Sequence, residues 1–177
     1  MFVWNMSISF QLLFIIVSGV IFLYLRDKSF KYYGLYNIFL IIYVLSRSDT
    51  VYYGFEDLLK PLFGSVDAQI FTHILNFLIP IVFYSFYSIF AFCFLDLDKN
   101  AKKYFKRTTW IIKFMAYLFF GFAALCFAMK NADLFVTLYL YIYVPVILII
   151  FVLTLVQAIQ RSGEHKFFFL IGVVVFV

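Results

Sequence analysis

Residues 24–37, YLRDKSFKYYGLYN, join two long apolar stretches. Four charged side chains and one serine lie in the first eight positions, and aromatic residues follow at once. A short charged turn between apolar segments is typical of a chain that leaves a membrane and re-enters it. We therefore interpret this stretch as a turn between two membrane helices. Ser29 is expected to cap the second helix, and Gly34 to permit close approach of a neighbouring helix.

The composition of the whole chain supports a membrane protein. Of its 177 residues, 66% are hydrophobic, and the mean hydropathy is +1.03. Soluble domains are about half apolar, and the 27 Phe and 14 Tyr residues exceed what a soluble fold of this size could bury. The sequence predicts an all-α fold, a polytopic membrane helical bundle that forms one transmembrane domain over residues 1–177.

Six apolar windows are separated by polar residues. A hydrocarbon core of about 30 Å requires about 20 residues of helix. The windows are residues 6–25, 32–52, 70–95, 110–129, 134–159 and 167–177. Pro80 and Pro145 lie inside the third and fifth windows, where a membrane helix tolerates proline as a kink. Because the last window is too short to cross, we expect five complete spans plus a partial sixth that continues beyond Val177, with seven as the simplest complete number.

The basic residues are distributed unevenly between alternate loops. The first, third and fifth loops carry ten Lys and Arg residues, whereas the second and fourth carry three. The clusters include Arg26, Lys28, Lys31, Lys102, Lys103, Lys106 and Arg107. The positive-inside rule places these loops in the cytoplasm and the N-terminus outside, and the basic residues can contact lipid headgroups. The net charge of +5 therefore has a topological role, and we expect no nucleic-acid partner.

Three stretches resemble a known family as a set. They are FLYLRDKSFKYYGLYNIFLIIYVLSR, FAFCFLDLDKNAKKYFKR and QAIQRSGEHKFFFLIG. In order and spacing they resemble the first, third and fifth cytoplasmic loops of the 7TMR-DISM family, bacterial seven-transmembrane receptors with diverse intracellular signalling modules. The resemblance implies a receptor in the bacterial cytoplasmic (inner) membrane. It also implies a cytoplasmic output module, fused or separate, such as the histidine kinase of a two-component system or a cyclic-dinucleotide enzyme.

Polar residues inside the spans are the candidates for ligand contact or signalling. His73 and Asn76 lie one turn apart in the third span, and Asn37 lies in the second. Such residues usually face the bundle interior and mark functional positions. The alternative is an interhelical hydrogen bond that only supports packing, worth about 0.6 kcal/mol on average.

The sequence gives no support for catalysis. It contains no Gly-rich phosphate loop, no GxSxG or HExxH motif and no paired intramembrane carboxylates. The two histidines, His73 and His165, are predicted to lie on opposite sides of the bilayer, so they cannot share a metal or a haem. We expect no enzymatic activity, no metal site and no cofactor.

Three functions remain open from the sequence. The leading hypothesis is the sensory and signal-transducing membrane region of a receptor, with the bilayer and an output module as partners and a homodimer among the assemblies that the sequence allows. A small-solute transporter or channel-like protein is the second, although the spans lack Asp and Glu away from their ends. The third is a passive membrane scaffold subunit.

Overall fold

The computed structural model describes residues 2–161 of the chain, which form an all-helical bundle. Of these residues 93% are helical, and no strand occurs among them. The elements in chain order are α1 (Phe2–Leu25), α2 (Lys28–Ser46), α3 (Asp49–Phe63), α4 (Ser65–Phe94), α5 (Leu97–Asn100), α6 (Lys102–Ala128), α7 (Ala132–Leu138), a π turn (Tyr139–Tyr143) and α8 (Val144–Arg161). The predicted all-α fold is thus confirmed.

Helix α4 is the centre of the bundle. It packs against α2, α3, α6 and α7, while α1 packs against α2. One buried core joins the middle of α4 to α6, α7 and the π turn around Ile81, Phe119 and Tyr143. A second core joins the C-terminal part of α4 to α5, α6 and α8 around Phe92, Leu97 and Ala158.

We name the two ends of the bundle after their short helices. The α3 end comprises residues 46–67 and 128–132, where α2 and α6 end and α4 and α7 begin. The α5 end comprises residues 25–31 and 94–107, where α1 and α4 end and α2 and α6 begin. The first and third predicted loops therefore belong to the same end.

Four of the described helical segments are long and apolar enough to cross a membrane. These are Ile8–Leu25, Ser65–Phe94, Lys102–Ala128 and Ala132–Gln160. The predicted count of five complete spans is not confirmed, because α2 is not among them. Two lysines, Asn37 and several tyrosines lower the hydropathy of its 19 residues. The predicted partial span 167–177 lies outside the described residues.

The predicted second span, residues 32–52, does not coincide with a single helix. Helix α2 stops at Ser46, and a separate helix, α3, begins at Asp49 and runs to Phe63. Helix α3 does not stand out as an apolar window of about 20 residues, because its apolar residues are spaced along one face and do not form a continuous run.

The helix that contains most of the predicted fourth span, residues 110–129, begins before Trp110. Helix α6 begins at Lys102, so the basic residues form its first two turns and do not lie in a loop. A membrane helix can extend beyond the hydrocarbon where long cationic side chains reach the headgroups.

The N-cap of α2 is Asp27, and the prediction of Ser29 as the cap is wrong. The Asp27 carboxylate accepts a hydrogen bond from the Ser29 backbone amide at 2.9 Å and a second, short one from the Ser29 hydroxyl. Arg26 takes a left-handed conformation with φ of 55°, which ends α1 and lets α2 start at Lys28.

A π turn, Tyr139–Tyr143, lies just before Pro145, where the sequence predicts a kink. Proline has no backbone N–H to continue the α-helical hydrogen-bond pattern. Directly before it, the amide of Val144 donates to the carbonyl of Tyr139, five residues earlier. The helix therefore bulges where α7 passes into α8, a feature often found at functional sites.

Candidate functional site at the α3 end

Asn76 links α4 to α2. Its side chain is only 9% exposed, and its Oδ1 accepts a hydrogen bond from the Ser46 hydroxyl at 3.0 Å. The same hydroxyl lies 2.8 Å from the carbonyl oxygen of Tyr43, so its single proton is shared between two acceptors. Ser46 is the last residue of α2, so this contact fixes the end of that helix against α4.

Asn37 makes no comparable link between helices. It is 2% exposed, and its Nδ2 donates to the Tyr33 carbonyl at 2.8 Å, one turn earlier in α2. This hydrogen bond satisfies the amide within its own helix. A polar side chain can be buried in this way without a partner on another element.

His73 lies in a polar hollow between α4 and the turn before α7. The hollow has a volume of about 320 Å³, and its walls include Gln69, Lys130, Asn131 and Asp133. Asn76 instead lines an apolar groove of about 220 Å³ between α2, α3 and α4. The two residues that the sequence analysis placed on one face of α4 therefore line different cavities.

Arg47 also belongs to this site, although it was not among the residues singled out from the sequence. Its Cζ lies 4.8 Å from the centroid of the Tyr43 ring and 5.8 Å from that of Phe77. The Phe77 ring also lies 5.5 Å from the His73 ring and 5.5 Å from the ring of Tyr139. The i,i+4 spacing of Tyr43 and Arg47 could have suggested the first contact; the contact with Phe77 depends on tertiary structure.

The turn between α6 and α7 is tied to the start of α4 by an ion pair. The Lys130 ammonium lies 2.8 Å from Asp67 Oδ1, with side-chain exposures of 62% and 28%. The backbone of Lys130 adopts a left-handed conformation, with φ of 53°. An exposed pair of this kind contributes at most about 1 kcal/mol to stability, but it fixes which elements meet at the α3 end.

Contacts continue from this site toward the α5 end. The Tyr143 hydroxyl donates to the carbonyl of Ile81 at 3.2 Å, which joins the π turn to the middle of α4. Farther along, the hydroxyls of Tyr104 and Thr154 lie 2.9 Å apart and join α6 to α8. A cavity of about 290 Å³ separates α4 from the segment that runs from Tyr139 to Thr154, in the region of these contacts.

The basic residues singled out from the sequence gather at the α5 end. Lys28 and Lys31 are exposed in the first turn of α2, and Lys102, Lys103, Lys106 and Arg107 are exposed in the first two turns of α6. Lys99 is held near them by a 2.7 Å contact with Asp96. That hydrogen bond raises the pKa of Lys99, and the charges of Asp98 and Asp27 add to the effect. Since Asp27 belongs to the turn between α1 and α2, the first and third predicted loops lie close to each other.

The arrangement in the described part of the chain is suited to conformational coupling. Along α4, polar and cation–aromatic contacts at the α3 end are connected through buried aromatic side chains to the core at the α5 end.

No curated protein and no solved structure matches the chain. A family model described as 7TM diverse intracellular signalling matches residues 1–177, the whole chain, as the resemblance of its basic turns predicted. The chain therefore belongs to the 7TMR-DISM family, whose members are membrane sensory proteins.

Proposed function

We propose that this chain is the signal-transducing part of a bacterial receptor in the cytoplasmic membrane. It relays a signal to a cytoplasmic output module such as a histidine kinase or a cyclic-dinucleotide enzyme. Family membership supports the sensory role. The observation that carries the relay is the position of α4, which contacts α2, α3 and the α6–α7 turn at one end and α5, α6 and α8 at the other.

The relay works through a small displacement of α4. Shifts of about 1–2 Å between packed helices are a common form of switching. At the α3 end, a ligand or a partner domain that alters the contacts of Asn76, Arg47 or His73 changes how α4 sits against its neighbours. At the α5 end, buried Leu97 and Ala158 transmit the displacement to α8 because they share one core with Phe92 of α4.

The proposed topology has five crossings within the described residues. Helix α2 packs along both α1 and α4, and it connects the α5 end to the α3 end, so it crosses despite its lower hydropathy. With the basic α5 end in the cytoplasm, the N-terminus and the α3 end lie outside. The partners are the lipid bilayer, the output module and, in a homodimer, a second copy of the chain.

The test compares output in the native bacterium. Strains that lack the gene are complemented with the wild-type chain in its native reading frame, with Asn76→Leu or with Tyr117→Phe as a matched control on the exposed surface of α6. Phosphorylated response regulators and cyclic-dinucleotide levels are measured. We expect the wild type and Tyr117→Phe to differ from the deletion strain in the same way, and Asn76→Leu to shift the output.

Two results would contradict the relay. One is an output that is identical in the deletion and the complemented strains. The other is a solute flux in reconstituted vesicles that is lost on His73→Ala, which would favour a transporter.

A further inference from the structure

Helix α3 is too short to span a bilayer, yet both of its ends are tied to membrane helices. Its 15 residues correspond to about 22 Å of helix, less than the hydrocarbon thickness of about 30 Å. Two residues separate it from α2 and one, Gly64, from α4. It is therefore held at the membrane face where α2 ends and α4 begins.

The side chains of α3 divide into three arcs around the helix axis. One arc packs on the bundle through Leu59, which is 8% exposed, and Phe63, whose ring stacks on Phe71 at 6.0 Å. A second arc is polar, and on it Lys60 lies 2.6 Å from Asp57 and 3.4 Å from Glu56. These contacts, chiefly the hydrogen bond to Asp57, raise the pKa of Lys60 above its ordinary value.

The third arc is apolar, and its four side chains remain exposed in the described part of the chain. Val51, Phe55, Leu58 and Leu62 follow the spacing i, i+4, i+7 and i+11, which places them within about 60° of one another. Leu58 is 66% exposed and Leu62 is 71% exposed. The helices to which α3 is joined also expose apolar side chains, among them Ile42 of α2 and Val66 of α4.

A groove opens beneath α3 on the same side. It has a volume of about 220 Å³ and lies between α2, α3 and α4, with Ile42, Val51, Phe55, Leu75 and Ile79 among its walls. Ser46 and Asn76 also line it, and the Ser46 hydroxyl donates to Asn76 Oδ1 there. An apolar groove at the headgroup level of a membrane is accessible to the acyl chain of a lipid.

We propose that α3 lies flat in the membrane interface, with Val51, Phe55, Leu58 and Leu62 in the acyl region, and that a lipid acyl chain occupies the groove beneath it. An amphipathic helix with separated apolar and charged faces binds a bilayer in this way. The occupant is membrane lipid because the helices beside the stripe and groove also expose apolar side chains. The lipid contact is independent of the signalling role, and it places a lipid beside the Ser46–Asn76 hydrogen bond.

The first experiment measures the depth of α3. Single cysteines at positions 58 and 62 of the apolar stripe, and at 50 and 57 of the polar arc, are spin-labelled in a Cys93→Ala, Cys126→Ala background. The full chain is reconstituted into vesicles of phosphatidylethanolamine and phosphatidylglycerol. We expect the ratio of O₂ to nickel-chelate accessibility to be several-fold higher at 58 and 62 than at 50 and 57. Equal ratios at all four positions would overturn the interfacial placement.

The second experiment tests the groove. A phosphatidylethanolamine with a diazirine near the end of one acyl chain is photolysed in the same vesicles, and adducts are mapped by mass spectrometry. We expect adducts on groove residues such as Val51 and Leu75, and several-fold fewer with Leu75→Trp but not with the lipid-facing control Leu125→Trp. Adducts confined to exposed positions of α1 and α6 would overturn acyl-chain occupancy, whatever the depth of α3.

Discussion

Gly34 illustrates how one side chain sets the distance between two helices. A Cβ at this position would lie 3.0 Å from the Oγ of Ser18, tighter than an ordinary van der Waals contact. Ser18 is 1% exposed, and its hydroxyl donates to the Ile15 carbonyl at 3.0 Å, so it has little freedom to move. The sequence analysis predicted close approach at Gly34, and the structure supplies the partner, Ser18 of α1.

We predict that Gly34→Ala destabilises the protein by about 1 kcal/mol, because overpacking outweighs the gain in helix propensity. Gly121→Ala is the matched control. Nothing lies within 4 Å of a Cβ at position 121, so this change should be neutral or stabilising by up to about 1 kcal/mol. The measurement is the free energy of unfolding in bicelles. Adding Ser18→Ala to Gly34→Ala should restore stability, and an unrescued loss would show that the contact is not the cause.

The hydrogen bond between Ser46 and Asn76 gives a second prediction at this scale. In a double-mutant cycle with Ser46→Ala and Asn76→Ala, we expect a coupling free energy of about 0.6 kcal/mol, and at most about 1.7 kcal/mol. Ser46→Ala combined with Thr137→Ala serves as a control, because the Thr137 hydroxyl donates to the Asp133 carbonyl within its own helix. A coupling of zero for the first pair would mean that the two side chains do not interact in the membrane.

A site residue could be predicted from the sequence only where its own type, and not a contact partner on another helix, marks it. Asn76 was identified because an amide at membrane depth needs a partner. The identity of that partner, 30 residues away, could not be read from the local pattern. Arg47 was missed as a site residue for the same reason, since Phe77 approaches it only after α2 packs on α4.

At the scale of elements, α3 is the largest departure from the sequence prediction. Its apolar positions follow a helical period, but the segment also contains Asp49, Glu56, Asp57 and Lys60, so no window there reaches the hydropathy of a span. The amphipathic pattern would have identified it. The predicted spans 70–95 and 110–129, by contrast, overlap α4 and α6, which are long and apolar enough to cross a membrane, because continuous apolar character is enough to indicate them.

Gly64 forms the sharp turn between α3 and α4. We predict that Gly64→Ala lowers the free energy of unfolding. Gly64 has φ of +83° and ψ of 164°, a region that is essentially limited to glycine. Alanine there should cost about 1–3 kcal/mol. Gly54 lies within α3, and nothing lies within 4 Å of a Cβ built at this position. Gly54→Ala should therefore leave the stability of the protein unchanged or raise it. Unfolding in bicelles distinguishes them, and equal stability of the two variants would argue against strain at the corner.

At the scale of the whole molecule, the distribution of charge predicts the orientation. We expect an impermeant maleimide to label Thr50→Cys on the α3 end of intact spheroplasts, and Lys103→Cys on the α5 end only after permeabilisation. Both positions are exposed, and the test uses the Cys93→Ala, Cys126→Ala background. The reverse pattern would place the basic α5 end outside and contradict the positive-inside assignment.

The central claim is that contacts at the α3 end of α4 control the position of α8 at the α5 end. The measurement that tests it most directly is the distance between spin labels at Lys28→Cys and Gln160→Cys, determined by double electron–electron resonance in vesicles. The account predicts that Asn76→Leu shifts the mean distance by about 1–2 Å, while the control Tyr117→Phe leaves it unchanged. Identical distance distributions in the wild type and Asn76→Leu would contradict it.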